Sequence, residues 1–177
     1  MKRLALALLL LASPALAATH YVTPVSSFTW AESTNPATPC TLPVANANAV
    51  AGDVVQLYAG DYSAQGHSIS PANHGSAGSY ITYVGSLTSP YAVAGPLSLS
   101  KRYVSVKGIS TTGASLSGNS DSVSYCTFSS STGTFWVTPS TDVVVERNTL
   151  SLRQLATECN CVGSPVCVCA GRIERLT

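Results

Sequence analysis

A repeat of about 20 residues is the feature that most constrains what this chain can fold into. The segment TGASLSGNSDSVSYCTFS, which begins at Thr112, aligns with TGTFWVTPSTDVVVERNTLS, which begins at Thr132. Such a unit is too short for the helix pair of a helical repeat protein, but it accommodates short strands joined by turns. One unit cannot bury an apolar face alone, so the units have to stack into a shared core.

Alternating apolar residues give each repeat a half-buried strand. The alignment places Val123 level with Val143, and a slip near its end predicts a short insertion at Glu146 and Arg147. The preceding unit, YVSVKGIS, aligns so that Val104 is level with Val123. The same register places Trp136 in a column with Leu116. It also predicts six inward-facing residues in adjacent parallel strands: Val104, Val106, Val123, Tyr125, Val143 and Val145.

These patterns predict an all-β fold, a single-stranded right-handed parallel β-helix (solenoid) with a short N-terminal capping helix. We expect a strand and the capping helix over residues 18–52, with Thr41 as N-cap, Pro43 in the first turn and Gly52 as the stop. The coils are expected over residues 53–153, followed by a Cys-rich tail over 154–177. Because the pattern fades after Arg153, we expect either a β-helix truncated at its C-terminus or a tail that has left the pattern.

The start of the chain, up to Ala17, has the pattern of a secretory signal peptide. A basic MKR start precedes a short apolar stretch, and Ala15-Leu16-Ala17 is a cleavage signal. We therefore expect a protein that is secreted, extracellular or periplasmic, after cleavage near Ala17, without a membrane anchor. Charged residues make up only 10% of the chain, which excludes a basic nucleic-acid-binding arm.

Export favours disulfide bonds for the six cysteines. Four of them form a C-x-C-x5-C-x-C cluster, namely Cys159, Cys161, Cys167 and Cys169. Four thiolates also suit a structural zinc ion, but the usual zinc spacing is C-x2-C. Disulfides are the preferred interpretation, and the sequence leaves their connectivity open.

The segments GDVVQLYAGDY and ISPANHGSAGSYITYVG resemble the first coils of secreted β-helix polysaccharide lyases of the pectate-lyase-like superfamily, such as chondroitinase B and the alginate lyases. The resemblance extends over residues 41–153. It implies a protein that interacts with an acidic extracellular polysaccharide and, if active, a polysaccharide lyase that acts by β-elimination on uronates. The family's catalytic groups lie beyond the matched coils, which implies an incomplete or inactive lyase-type domain. The alternative is a non-catalytic β-helix that binds glycan or serves as a surface or adhesin scaffold.

Elimination from a uronate needs a base, and it needs a cation that neutralises the sugar carboxylate. In the family the base is Lys or Arg and the cation is often Ca²⁺. The candidate catalytic residues are Lys101, Arg102 and Lys107, the candidate substrate-binding residues are Glu146 and Arg147, and the candidate Ca²⁺ ligands are Asp121 and Asp142. The plainer alternative is that the basic residues solvate the surface and each Asp caps its own turn. An outward Lys or Arg beside a carboxylate cluster on one sheet would favour a lyase, and a flat outer face would favour a binding scaffold.

Overall fold

Parallel β-strands dominate the part of the chain that the computed structural model describes, which is residues 17–86, 91–130, 135–137 and 142–152. In these ranges the strands, numbered in chain order, are β1 (Thr19–Val22), β2 (Val54–Leu57), β3 (Gly60–Asp61), β4 (Ile81–Val84), β5 (Ala92–Ala94), β6 (Leu97–Leu99), β7 (Val104–Lys107), β8 (Ile109–Thr111), β9 (Ala114–Leu116), β10 (Ser122–Ser124), β11 (Thr127–Ser130), β12 (Phe135–Val137), β13 (Val144–Glu146) and β14 (Thr149–Leu152). One α-helix, α1 (Leu42–Asn48), and short 3-10 helices at Glu32–Thr34 and Ser63–Gln65 accompany them.

The strands form three parallel sheets. Sheet A has the order β1-β2-β4-β7-β10-β13, sheet B the order β14-β11-β8-β5-β3, and sheet C the order β12-β9-β6. Consecutive stretches of chain therefore add one strand to each sheet in turn, as β7, β8 and β9 do and as β10, β11 and β12 do again. The prediction of an all-β fold of stacked parallel strands is confirmed at this level.

A continuous inward-facing column runs across sheet A and forms part of the core. Register partners along it are His20, Val55, Tyr83, Val106, Val123 and Val145. His20 is 5% exposed, Val145 is half-buried, and the four residues between them are fully buried. Burial of each apolar side chain is worth about 1.5–3 kcal/mol, so this column is a major source of stability.

The predicted core residues are mostly confirmed, but the predicted register is wrong. Val104, Val106 and Val123 are buried, and Val143 and Val145 pack against the core. Val123 pairs with Val106 and Val145, whereas the sequence alignment had placed it level with Val104 and Val143. The extra residues of the later repeat therefore precede β13 and are not an insertion at Glu146 and Arg147.

Two aromatic residues were assigned to the wrong columns. Tyr125 is 46% exposed and does not face the core. Its φ of 55° is left-handed, and this turns the backbone between β10 and β11 so that the side chain points outward. On sheet C, Trp136 pairs with Ser115, and it is Val137 that pairs with Leu116.

The N-terminal region contributes one helix to the core. Helix α1 begins after Thr41 as N-cap and has Pro in its first turn, and Leu42, Ala45 and Ala49 are buried. The helix ends at Asn48, earlier than the predicted stop at Gly52.

The segment from Trp30 to Cys40 packs beside β1. The ring of Trp30 stacks on that of His20 with centroids 3.4 Å apart. Cys40 bridges the same strand through backbone hydrogen bonds to Tyr21 and Thr23.

Within the described ranges, no helix has the length and hydrophobicity that a membrane span requires.

Several sequence predictions lie outside the described residues. They are the signal peptide up to residue 16 and the cluster of Cys159, Cys161, Cys167 and Cys169. Of the described cysteines, Cys40 and Cys126 are buried free thiols. Burial raises the pKa of Cys126 to about 11, so this thiol is protonated and unreactive at neutral pH.

Candidate functional site

The corner between sheets A and B gathers several of the predicted site residues. Three successive repeats place a residue with positive φ there, namely Gly108, Tyr125 and Arg147, with φ of 65°, 55° and 53°. These residues directly follow the register partners Lys107, Ser124 and Glu146. At this corner Tyr125 and Arg147 are exposed, whereas Gly108, which has no side chain, is buried.

Tyr125 and Arg147 form an exposed cation–aromatic pair at this corner. The guanidinium carbon of Arg147 lies 5.4 Å from the centroid of the Tyr125 ring. Nη1 of Arg147 also donates a hydrogen bond to the phenolic oxygen. This hydrogen bond raises the pKa of Arg147 above its ordinary value, so the positive charge is fixed at every physiological pH.

Glycines line the corner on the side of Tyr125 towards the N-terminal repeats. Gly85 and Gly108 occupy the corner in the two preceding repeats, and a Cβ added to Gly85 would lie 2.3 Å from the carbonyl oxygen of Gly108. The two backbones are therefore closely stacked, and neither residue has a side chain that could cover the tyrosine.

The predicted residues Lys107 and Glu146 share an outward row on sheet A. Ser124 lies between them in register and is 3% exposed, whereas Lys107 and Glu146 are exposed. With neighbouring strands about 4.8 Å apart, the two charged residues are separated by about 10 Å along the row. The structure thus brings Lys107, Glu146 and Arg147 to one corner.

Lys101 and Arg102 do not belong to this corner. Both precede β7, whereas Lys107 is its last residue, and Tyr103, between Arg102 and β7, has a left-handed backbone. The backbone N–H of Arg102 donates to Nδ1 of His74 at 3.1 Å. The basic patch predicted from the sequence is therefore divided between the two ends of one strand.

The two candidate Ca²⁺ ligands are not side by side. Because Ser122 pairs with Val144, Asp142 lies level with Ser120 and not with Asp121. Asp142 and Ser120 both have left-handed backbones, with φ of 62° and 59°, and Asp142 is exposed. In the described part of the chain, no group of three or more His, Cys, Asp or Glu residues is arranged to hold a metal ion.

Asp121 instead lies inside the fold, where it is 1% exposed. Its Oδ1 accepts a hydrogen bond from the backbone N–H of Val104 at 2.9 Å. Its Oδ2 is buried without a hydrogen-bond partner. Burial raises the pKa of Asp121 to about 6, against the ordinary value of 3.8. This carboxyl caps the start of β7 from within and does not face a ligand on the surface.

Sequence reasoning missed Tyr125 as an exposed residue. A signal for it was present, because VKGI, which ends at Ile109, aligns without a gap on VSYC, which ends at Cys126. Gly108 marks a corner with positive φ, and this alignment places Tyr125 at the same corner. The alignment of Val104 with Val123 hid this equivalence.

Comparison with known proteins provides no identification for the chain. It matches no protein-family model, no curated protein and no solved structure. The candidate site therefore rests on the geometry of the corner itself.

Proposed function

We propose that this chain is an exported right-handed parallel β-helix that binds an acidic polysaccharide without cleaving it. The repeated addition of one strand to each of three parallel sheets supports the β-helix, with the sheets as its faces. Right-handedness follows from the strong preference of crossover connections between parallel strands. Export is inferred from the signal-peptide pattern that ends at Ala17.

The observation that carries the proposed function is the exposed pair of Tyr125 and Arg147 beside Lys107. The C–H face of a sugar ring is apolar and packs on an aromatic ring, and Tyr125, which is 46% exposed, offers the area for this contact. A guanidinium carries five N–H donors in a planar fork that matches a carboxylate, and one of the donors is used on Tyr125. Lys107 adds a second positive charge. This combination suits a uronate.

The same geometry favours binding over elimination. The predicted lyase arrangement required a base beside a cluster of carboxylates, and the corner offers one exposed lysine with a single glutamate. A catalytic lysine is normally activated by burial or by neighbouring charges, whereas Lys107 is exposed to solvent. The two Asp residues predicted to hold Ca²⁺ lie at different register positions. A non-catalytic surface scaffold with a glycan site agrees with all of these features.

The first experiment measures binding and cleavage with the same preparation. The secreted protein is run in native gels that contain pectate, alginate or chondroitin, and the same substrates are monitored for absorbance near the unsaturated-uronate band with calcium or EDTA. We expect retardation by at least one of the acidic polysaccharides and no increase in absorbance. Turnover that calcium stimulates and Lys101→Ala abolishes would contradict the non-catalytic assignment.

Matched variants locate the site on the molecule. Tyr125→Asn and Arg147→Asn remove the platform and the charge, and Asn tolerates the left-handed backbone of both positions. Tyr91→Asn is the control, since Tyr91 is also 46% exposed. We expect about tenfold weaker binding of tetragalacturonate for each corner variant and less than about a twofold change for the control. Equal effects of Tyr125→Asn and Tyr91→Asn would place the glycan site elsewhere.

A further inference from the structure

The carboxylate of Asp53 is buried at the point where the first strand enters the fold. Its side chain is 4% exposed and both of its oxygens accept backbone hydrogen bonds. Oδ1 accepts from the backbone nitrogen of Ala18 at 3.2 Å, and Oδ2 accepts from that of Val50 at 2.9 Å. The carbonyl oxygen of Ala18 in turn accepts from the N–H of Val54 at 2.8 Å. Ala18 is thus held between Asp53 and the residue that follows it.

Asp53 has no cationic partner among the described residues. The titratable side chain that acts on it is His20, whose pKa is lowered below its ordinary value, mainly by burial. His20 is therefore neutral at pH 7 and supplies no positive charge there. An ionised carboxylate without a counter-charge is expensive to bury, even when it accepts two hydrogen bonds.

The predicted processing of the chain supplies that counter-charge at the required atom. Hydrolysis of the bond between Ala17 and Ala18 by a leader peptidase adds water across the peptide bond. Ala17 leaves with a carboxylate, and the nitrogen of Ala18 becomes a free amine that is protonated below its pKa of about 7.7–8.0. That nitrogen is the atom that already lies 3.2 Å from Oδ1 of Asp53.

We propose that Ala18 is the first residue of the mature protein and that its α-ammonium forms a partly buried ion pair with Asp53. The inference rests on the export part of the proposed function, and it is independent of glycan binding. The ion pair fixes the start of β1, and with it the position of His20 at the end of the inward column of sheet A.

The ion pair predicts a distinct dependence of stability on pH. Asp53 raises the folded-state pKa of the α-ammonium above its unfolded value of about 7.7–8.0. The contribution is fully present below the unfolded pKa and is lost as the pH rises through the folded pKa. The mature form should therefore lose stability between about pH 8 and pH 10, a range above the ordinary titration of carboxyl and imidazole groups.

The experiment compares a protein that begins at Ala18 with one that carries Gly-Ser before Ala18. Each is prepared with Asp53 and with Asp53→Asn, and the melting temperatures are measured at pH 7 and pH 10. At pH 7 we expect the form that begins at Ala18 to melt about 5 °C or more above the extended form, because a buried charge has lost its partner in the latter. The difference should vanish with Asp53→Asn and should shrink at pH 10.

A difference between the two forms that persists in Asp53→Asn would overturn the ion pair. If the Asp53→Asn variant does not fold, the pKa of the Ala18 amine in the wild-type protein decides, measured by NMR titration. A pKa clearly above about 8 supports the pair, and an ordinary value contradicts it. N-terminal sequencing of the exported protein supplies an independent test, since any first residue other than Ala18 would contradict the proposal. Loss of glycan binding alone would leave these outcomes unchanged and would contradict only the proposed function.

Discussion

Neighbouring residues of sheet A meet very different surroundings according to the face on which they lie. Val123 is fully buried in the inward column, whereas Val144 is 49% exposed on the next strand, β13. Both residues are valines in the same sheet, and Val144 pairs with Ser122, the residue before Val123. The two positions therefore form a matched pair in which only the direction of the side chain differs.

The matched pair tests the core assignment directly. Val123→Asp would place a charge in a column without water or a partner, and we expect it to reduce the free energy of unfolding by about 3 kcal/mol or more. Val144→Asp should change that energy by less than about 0.5 kcal/mol, because the side chain reaches solvent. Urea denaturation measures both variants. Similar losses at the two positions would show that Val123 is not in a buried column.

Asp121 is a buried carboxyl whose ionisation opposes folding. Because its folded pKa is about 6 and its ordinary value is 3.8, the folded protein binds more protons than the unfolded chain between these values. The contribution of protonated Asp121 to stability is therefore fully present below about pH 4 and is lost as the pH rises through about 6. At pH 7 the ionised side chain costs on the order of 3 kcal/mol.

Asp121→Asn should remove this cost. The amide keeps an oxygen for the N–H of Val104 and offers an N–H where Oδ2 lacks a partner. We expect the variant to be more stable at pH 7 and its stability to vary less between pH 4 and pH 7, measured by urea denaturation in EDTA. Asp142→Asn is the control, since Asp142 is exposed. An unchanged or lower stability of Asp121→Asn at pH 7 would contradict the assignment.

The side chain of Asn46 links helix α1 to two later segments of the chain. Nδ2 of Asn46 donates to the carbonyl oxygen of Ser68 at 2.8 Å. Its Oδ1 accepts from the hydroxyl of Tyr83 at 3.1 Å and from the N–H of Ser70 at 3.3 Å. Three partners from two segments of the chain therefore depend on one residue of a short helix.

Removal of this side chain should loosen the N-terminal end of the core. Asn46→Ala leaves the buried hydroxyl of Tyr83 without its acceptor, and we expect a loss of about 1–3 kcal/mol in the free energy of unfolding. Asn48→Ala is the control, because the side chain of Asn48 is exposed and bonds only within the helix, to the carbonyl oxygen of Val44. Hydrogen exchange in α1 should rise in Asn46→Ala alone. Equal stability of the two variants would refute the linking role.

At the scale of the element, the sequence predicted the type of secondary structure well and the register between strands poorly. Parallel strands followed from alternation within repeats, and α1 followed from Thr41, Pro43 and the apolar residues after them. Register failed because the residue at a corner breaks the alternation. Tyr125 occupies a left-handed corner that glycine fills at position 108, and nothing in the pattern of apolar residues distinguishes such a tyrosine from an inward one.

Over the whole molecule, uneven repeat lengths limited what the sequence could predict about the site. The stretch of chain from Ser105 to its partner Ser122 is shorter than the stretch from Ser122 to its next partner, Val144. An alignment at spacings close to 20 residues therefore put the right residue types into the core and the wrong residues next to each other. The prediction of the candidate site was affected most. Strand register brings Lys107, Glu146 and Arg147 to one corner, and the sequence alignment did not predict this register. Lys101 and Arg102 had been grouped with Lys107 only because they are close to it in the sequence.

Stacked repeats should also determine which pairs of core mutations have coupled effects on the free energy of unfolding. Val106 and Val123 are register partners on adjacent strands, whereas Val55 lies three strands from Val123, about 14 Å away. If each repeat contacts only its neighbours, Val106→Ala and Val123→Ala should couple by at least about 0.5 kcal/mol, because both mutations enlarge one region of the core. Val55→Ala and Val123→Ala should add to within about 0.3 kcal/mol, and double-mutant cycles from urea denaturation measure both. Equal coupling energies in the two cycles would contradict a core in which each strand couples only to its neighbours.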